Sequence, residues 1–484
     1  MSFSHKDKIK LKNYLLKTLI NKEGVISVTL VGSFWEKKNL NNFSDIDIII
    51  ILDKFNKQNY DKCISSLIKI NLKKFNLGKL KIKINPTFGP LKFDDDNFIV
   101  FHTMIYSKKS HINHVIKSPF TCYDWERSNN FKGLSLKEIF PVGKIQLVDF
   151  FNSRRGALNY LNNLKNNFIS YQKYEFKKSN FILRNKLFKI NRRHKFEFSY
   201  HLCKFLLINF YKFENQENKI PNKKQLFLLI KKIFKKSYKY YHDSYILLEE
   251  CKKNKTKNIK INIMKFTKKF INNFISFLSK YKEYDEVIFL RHAKTNLNDG
   301  SFLGIGRNPS IINKSKIKTK LKTLSRKRVK ILYTSELKRA YETANMIRNK
   351  YFFSTDLIEK NYGKAEGLNY YALKNLYPSI IKKWNNNKDQ RFPLGENDDD
   401  VLKRVKKFKK NFLIKLNKSK KKGISIIVTH NALLRCLIGD DFKTPQYMWY
   451  KINIEHITPL NYILRKNKII PNIDRNVIFK NMIN

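Results

Sequence analysis

Residues 286–298 read EVIFLRHAKTNLN: a short apolar run, Val287 to Leu290, followed at once by Arg291 and His292. A run of this length bounded by polar residues predicts a buried strand. In open α/β sheets ligands collect at the carboxyl ends of the strands, so the Arg-His pair stands where a site is built. Two later segments repeat the arrangement. ILYTSELKRAYETA (331–344) delivers Arg339 one helical turn beyond a second strand, and SIIVTHNALLR (425–435) ends a third strand on His430. The helix-like stretches between them predict an α/β, mostly parallel sheet over residues 283–484, with two histidines and two arginines along one edge. Such a set suits phosphorus chemistry. A histidine attacks phosphorus when neighbouring cations neutralise the phosphoryl oxygens, and arginine offers those oxygens a planar pair of donors.

Upstream of this domain the pattern changes. No glycine occurs between Gly156 and Gly300, and Pro221 is the only proline between Pro141 and Pro309. With apolar residues three and four apart, as in Leu226, Leu229, Ile230 and Ile233, the stretch 151–282 predicts an all-α middle region. Residues 1–150 instead alternate helix-like and strand-like segments, as an α/β domain does. The chain is therefore expected to be multidomain.

The first of these domains carries VTLVGSFWEKKNLNNFSDIDIIIIL (28–52). Gly32 and Ser33 are followed, twelve residues after the serine, by Asp45 and Asp47 entering an apolar strand. Residues at i and i+2 project from the same face of a strand, so both carboxylates can hold Mg²⁺ ions that bridge a nucleoside triphosphate. His102, His111 and His114 raise a metal-site alternative, but no cysteine or nearby acid completes a zinc set, so structural or substrate-contact roles are expected.

The C-terminal segments resemble the histidine phosphatase superfamily, also called the phosphoglycerate mutase-like family. The resemblance rests on RHAKTNLN, FLGIGRNPS, LYTSELKRAYETA, LIEKNYGKAEG, PLGEN with a following helix that carries Arg404, and VTHNALLR. It implies that His292 becomes a phosphohistidine and that Arg291, Arg339 and His430 form the phosphate pocket. Glu359 is the implied proton donor to the leaving group, a role it can fill only while protonated. Thr295, Asn298 and Gly306 are implied to complete the phosphate loop, and a backbone carbonyl near Gly304 to Gly306 is expected to orient the nucleophile's other nitrogen. The family's phosphatases need no metal. Ala293 and Lys294 replace the glycine and glutamate of the commonest form, and Lys294 is expected to alter substrate preference. Because only a short segment separates Gly363 from Pro393, phosphatase is favoured over mutase.

The N-terminal segment resembles the polymerase-β-type nucleotidyltransferase superfamily over about residues 25–53. The resemblance implies a nucleoside triphosphate substrate at Gly32 and Ser33, Mg²⁺ at Asp45 and Asp47, and a third carboxylate on a neighbouring strand. Asn85 stands where that acid is expected, leaving Asp94, Asp95, Asp96 or Glu126 as substitutes. Together the two resemblances imply a bifunctional enzyme acting on a phosphorylated, sugar-like small molecule.

Lys and Arg number 99 against 39 Asp and Glu, a net charge of +60. The lysines are spread along the chain instead of forming one block, so a solvated basic surface is favoured over a nucleic-acid groove. An RNA-binding protein, or a phosphatase regulated by an inactive nucleotide-sensing domain, are the rival readings. The five cysteines are isolated and odd in number, as in a reduced, cytoplasmic protein. The opening MSFSHKDKIKLKNYLLKTLI lacks the continuous apolar core of a signal peptide. No run reaches the roughly 18 apolar residues of a membrane helix, so no membrane partner is expected. Nothing in the pattern sets the oligomeric state.

Overall fold

The computed structural model describes residues 3–36, 45–91, 97–177, 180–216, 220–253, 262–386, 388–419 and 422–483. The chain divides into two compact units, Met1–Tyr281 and Lys282–Asn484.

The first unit is built on five strands, β1 (Val25–Val31), β2 (Asp45–Leu52), β3 (Lys81–Asn85), β4 (Phe98–Ser107) and β5 (Phe131–Gly133), in the order β3-β4-β2-β1-β5. β3, β4 and β2 are mutually parallel, whereas β1 runs antiparallel to both β2 and β5. The run Ile48 to Leu52 is fully buried, as befits a central strand covered on both faces. One cover is the helix His5–Ile20, whose Leu11, Leu15 and Leu19 lie one turn apart in the same core. Its start is fixed by a reciprocal cap between Ser4 and Asp7.

The rest of this unit corrects the all-α expectation for residues 151–282. Five helices, Leu147–Lys165, Arg192–Asn215, Lys223–Phe234, Tyr238–Lys253 and Ile263–Ser279, do fill most of it. Between the first two, however, β6 (Phe168–Lys177) and β7 (Asn180–Lys189) form an antiparallel hairpin. The physical reason is cross-strand pairing. Glu175 bonds Lys186 at 2.9 Å across the pair, and Tyr174, Phe176 and Phe181 stack around Phe55. The absence of glycine and proline excludes neither interaction. Phe88 and Gln172 exchange backbone hydrogen bonds of 2.8 Å, tying the hairpin to the first sheet.

The second unit holds β8 (Asp285–Arg291), β9 (Val329–Thr334), β10 (Phe352–Phe353), β11 (Ile424–Thr429), β12 (Leu460–Arg465) and β13 (Lys468–Pro471), ordered β10-β9-β11-β8-β12-β13. β10, β9, β11 and β8 are parallel, and β12 and β13 complete the sheet antiparallel. The sheet is thus mostly parallel, as the alternation of buried runs and helices predicts. β11 lies between β9 and β8, which places the carboxyl ends of all three motif strands side by side. Among the described residues no helix is long and apolar enough to cross a membrane. All five cysteines are free and buried.

Candidate functional site

At the edge of the second sheet, the backbone N–H of His292 donates to the carbonyl of Thr429 at 2.9 Å. This bond brings His292 beside His430, with ring centroids 5.1 Å apart. His292 is almost wholly buried. Its Nδ1 lies 2.6 Å from the carbonyl oxygen of Ala293, which can only accept, so Nδ1 carries the proton and Nε2 keeps its lone pair. Burial, and then the cations of Arg339 and Arg291, hold the ring well below the ordinary histidine range. The result is a neutral imidazole with a free nucleophilic nitrogen. The orienting carbonyl therefore belongs to Ala293 and not to the stretch Gly304 to Gly306. The Gly304 carbonyl is already taken, accepting from Arg339 Nη2 at 2.8 Å.

Arg339 is fully buried in the first turn of the helix Lys338–Asn345. Its Nη1 donates to the Arg307 carbonyl at 3.0 Å, so two backbone oxygens aim the guanidinium. Arg291 is steadied by the Ile454 carbonyl at 2.9 Å. Burial lowers it to about 10, partly offset by the Glu359 carboxylate, and it remains a cation at neutral pH. His430 Nε2 lies 2.8 Å from Ser335 Oγ, and burial followed by the Arg339 charge holds this ring well below its usual range. Three buried nitrogens, Arg291 Nε, Arg339 Nε and His430 Nδ1, have no hydrogen-bond partner among the described residues. Buried polar atoms without partners are costly, and an oxyanion brought among them would satisfy the two guanidinium donors.

Glu359 borders this group, its charge acting on both Arg291 and Arg339. Its Oε1 accepts from the backbone N–H groups of Lys360 at 2.9 Å and Ala432 at 3.2 Å. Thr295 and Asn298 turn the loop after His292, the Thr295 amide donating to Asn298 Oδ1 at 2.8 Å. The Gly306 amide is engaged by Glu366 at 2.8 Å. Gly304, at φ +66°, has no room for a Cβ against that same carboxylate. Sequence reasoning missed three supports. Thr343 accepts from the Ala293 amide at 2.9 Å and donates to the Arg339 carbonyl at 2.7 Å, linking nucleophile loop to arginine helix. Ser335 holds the His430 ring through its Oγ, 2.8 Å from Nε2. Arg404 pairs with Glu396 and donates to the carbonyls of Asp356 at 3.1 Å and Ile358 at 3.2 Å, holding the segment that presents Glu359. The four-residue spacing of Thr343 from Arg339 and the place of Arg404 in the helix after PLGEN are the signals the sequence offers for these supports.

In the first unit, Asp45 and Asp47 open β2 on one face, both partly exposed. Val31 pairs with Asp47 in register, so Gly32 falls beside the Asp47 carboxylate. At φ +84°, Gly32 leaves space that a Cβ would fill by colliding with that carboxylate. Ser33 is exposed at the start of the short helix Ser33–Glu36. Two acidic oxygen donors on one face suit a hard divalent cation. The third position is corrected. β4, not β3, neighbours β2, and His102 pairs with Asp47 in register. Asn85 lies one strand further out, bonding the Leu91 carbonyl at 3.0 Å. His102 Nδ1 is 2.8 Å from Asp47 Oδ1, and its Nε2 is 2.9 Å from the Thr87 carbonyl. Burial alone would lower its pKa, but the hydrogen bond and charge of Asp47 outweigh burial and raise it. Glu126 is committed to Arg127 and to the Val142 amide at 2.6 Å. Asp94, Asp95 and Asp96 lie outside the described residues. Among the described residues no group of three or more His, Cys, Asp or Glu side chains is placed to hold a metal ion.

His111 is buried and His114 half-buried, the latter stacked on Trp125 with ring centroids 5.3 Å apart. Burial lowers them to about 3 and about 4 respectively. Their folded values lie below the unfolded value near 6.5, so the unfolded chain binds more protons between those limits. Stability is therefore lost as pH falls below about 6.5. Going from pH 7 to pH 5 is expected to cost on the order of 2 kcal/mol for each ring. Urea midpoints at the two pH values check this, and His114→Phe should shrink the difference.

Comparison with known proteins places a family match in each unit. Residues 287–468 match the family model "Histidine phosphatase superfamily (branch 1)", and residues 12–105 match "Nucleotidyltransferase domain". The fructose-2,6-bisphosphatase of Saccharomyces cerevisiae is 29% identical over 148 residues, covering 29% of this chain and 31% of that protein. The match thus spans about a third of the yeast relative's length. Phosphoserine phosphatase 1 of Hydrogenobacter thermophilus is 28% identical over 160 residues, 31% of this chain and 74% of that protein. Among solved structures, the alpha-ribazole phosphatase of Shigella flexneri is similar at 20% identity and a TM-score of 0.35, covering 39% of this chain and 95% of that one. The chain therefore joins a nucleotidyltransferase domain near its N terminus to a C-terminal domain of the histidine phosphatase superfamily.

Proposed function

We propose that residues 283–484 hydrolyse phosphomonoesters through a phosphohistidine on His292, with no metal in the step. The observation that carries this reading is the set of unpartnered buried nitrogens, Arg291 Nε, Arg339 Nε and His430 Nδ1, around a neutral imidazole. The Nε2 lone pair of His292 attacks phosphorus as the bond to the leaving oxygen breaks, and Glu359 gives that oxygen its proton. Water then attacks the phosphohistidine and gives a proton to the Glu359 carboxylate, which releases phosphate and restores both groups. The arginines supply the charge neutralisation that a metal provides elsewhere.

Residues 1–150 act as a Mg²⁺-dependent nucleotidyltransferase, with Asp45 and Asp47 holding the ion and Gly32 and Ser33 facing the nucleotide. Held by Asp45 and Asp47, Mg²⁺ would supply charge neutralisation for a bound triphosphate and its pyrophosphate leaving group. Residues 151–282 serve as a mainly helical accessory domain. The substrates are a nucleoside triphosphate and a small phosphorylated metabolite in the cytoplasm. The relatives named for fructose-2,6-bisphosphate and phosphoserine support a small-molecule phosphatase substrate. A second reading, an N-terminal domain that binds nucleotide without turnover, is favoured by one feature: His102 occupies the register position opposite Asp47. Intact nucleotide that changes the phosphatase rate would support it.

The two activities separate in one assay. Phosphate release should survive EDTA, and pyrophosphate release should not. Glu359→Gln should slow sugar phosphates by about a hundredfold, the lower end for loss of a general acid. Aryl phosphates, whose leaving groups need no proton, should slow only a few-fold. Equal slowing of both classes would remove Glu359 from that role.

A further inference from the structure

Residues 181–189, nearly the whole of β7, are exposed on both faces of the strand. Five of them, Phe181, Ile182, Leu183, Leu187 and Phe188, are large and apolar, from Leu183 at 39% exposure to Leu187 at 59%. Apolar residues scattered singly over a surface are ordinary, but five along one edge strand are a template for pairing. The edge is also open. β7 pairs only with β6, and among the described residues no backbone group of 181–189 bonds elsewhere.

Which backbone groups face outward follows from the hairpin. Gln172 spends its N–H and carbonyl on Phe88, so it does not exchange them with Asn185, its partner in the register. Opposed residues of an antiparallel pair exchange both bonds or neither, in alternation. Asn185 therefore points its N–H and carbonyl to the free edge, as do Leu183 and Leu187. The sequence FILRNKLFK (181–189) is moreover self-complementary about Asn185. An antiparallel copy centred there sets Leu183 against Leu187 and Ile182 against Phe188. Only Arg184 against Lys186 is a like-charge pair, and within each chain Glu175 bonds Lys186 at 2.9 Å and lies 3.7 Å from Arg184, which tempers the repulsion.

We infer that β7 is a dimerisation edge, which pairs antiparallel with β7 of a second copy of this chain about a two-fold axis through Asn185 and so forms a four-stranded sheet, β6-β7-β7-β6. A two-fold contact requires a self-complementary patch, and this strand is one. At roughly 200 Å² per large side chain, the exposed apolar area of two copies is about 800 Å², and the strand backbones bring it near the roughly 1,000 Å² of a specific interface. A polyanion would meet Arg184, Lys186 and Lys189 but would leave the five apolar side chains uncovered.

Sedimentation of the full chain tests this. The wild type should form a dimer that holds or tightens as salt rises, because screening relieves the repulsion between two chains of charge +60. Asn185→Pro removes an N–H that the hairpin does not use and should give a monomer whose circular dichroism matches the wild type. Leu187→Lys, exposed in the monomer, should weaken the dimer at least about tenfold and decides the matter if the proline variant misfolds. Asn185→Cys should yield a disulfide-linked dimer on mild oxidation, since hydrogen-bonded partners stand about 5.5 Å apart at Cα, within disulfide reach. Lys189→Cys should not, because the register sets it about 27 Å from its own copy. The five native cysteines are buried and leave both readings clean. A wild type that stays monomeric at every soluble concentration, a dimer unchanged in the folded variants, or equal cross-linking at positions 185 and 189 would overturn the inference.

Discussion

Replacing His292 with alanine is expected to cut phosphate release from every phosphomonoester by at least about 10⁴-fold, the scale for losing a nucleophile whose partners cannot take its place. The geometry offers no substitute. His430 is turned so that its Nε2 faces Ser335, and His456 has Nδ1 at the His292 carbonyl and is lowered by burial to about 4. Arg339→Ala should cost less, on the order of a hundredfold, because one preorganised donor is lost while the attacking nitrogen remains. That variant should also loosen the loop whose Gly304 and Arg307 carbonyls the guanidinium holds. Steady-state kinetics with p-nitrophenyl phosphate and thermal melts of each variant check both claims. Activity retained in His292→Ala would remove the assignment.

The second large effect belongs to the other unit. Asp47→Asn should abolish Mg²⁺-dependent pyrophosphate release, because an amide is a far poorer ligand for a hard cation than a carboxylate. The change is nearly isosteric, and Gly32 leaves room beside the side chain, so the fold should persist. Phosphatase activity, housed in a separate compact unit, should stay within about twofold. A pyrophosphate assay on wild type and variant decides it. Unchanged release would discard the metal assignment, whereas no release from the wild type, with nucleotide bound intact, would favour the sensing reading.

Much of the C-terminal sheet is legible in the sequence because its signals are local. A four-residue apolar run ending on Arg291 and His292 reports a strand and its carboxyl end at once, and the same holds for Thr429 and His430. That β11 lies between β8 and β9 is not readable, since strand order depends on pairing across more than a hundred residues. The orienting carbonyl of Ala293 escapes notice because every residue carries a carbonyl, and only the local backbone turn aims this one at Nδ1. His102 is hidden for the opposite reason. Its partner Asp47 is 55 residues away, and only the insertion of β4 between β2 and β3 brings the two together. The hairpin β6–β7 is masked because missing glycine and proline suggest helix, while cross-strand pairs such as Glu175 with Lys186 carry the fold. Arg404 is visible in the sequence, but its grip on the carbonyls before Glu359 is a tertiary fact.

The most direct test of the phosphohistidine mechanism is a rapid quench of the wild-type chain with a ³²P-labelled phosphomonoester, followed by alkali and acid treatment of the protein. Label is expected on the protein within the first turnover, stable to alkali, lost in acid, and mapped to the peptide that contains His292. Turnover of the substrate without any base-stable label, or label on a different peptide, would contradict it.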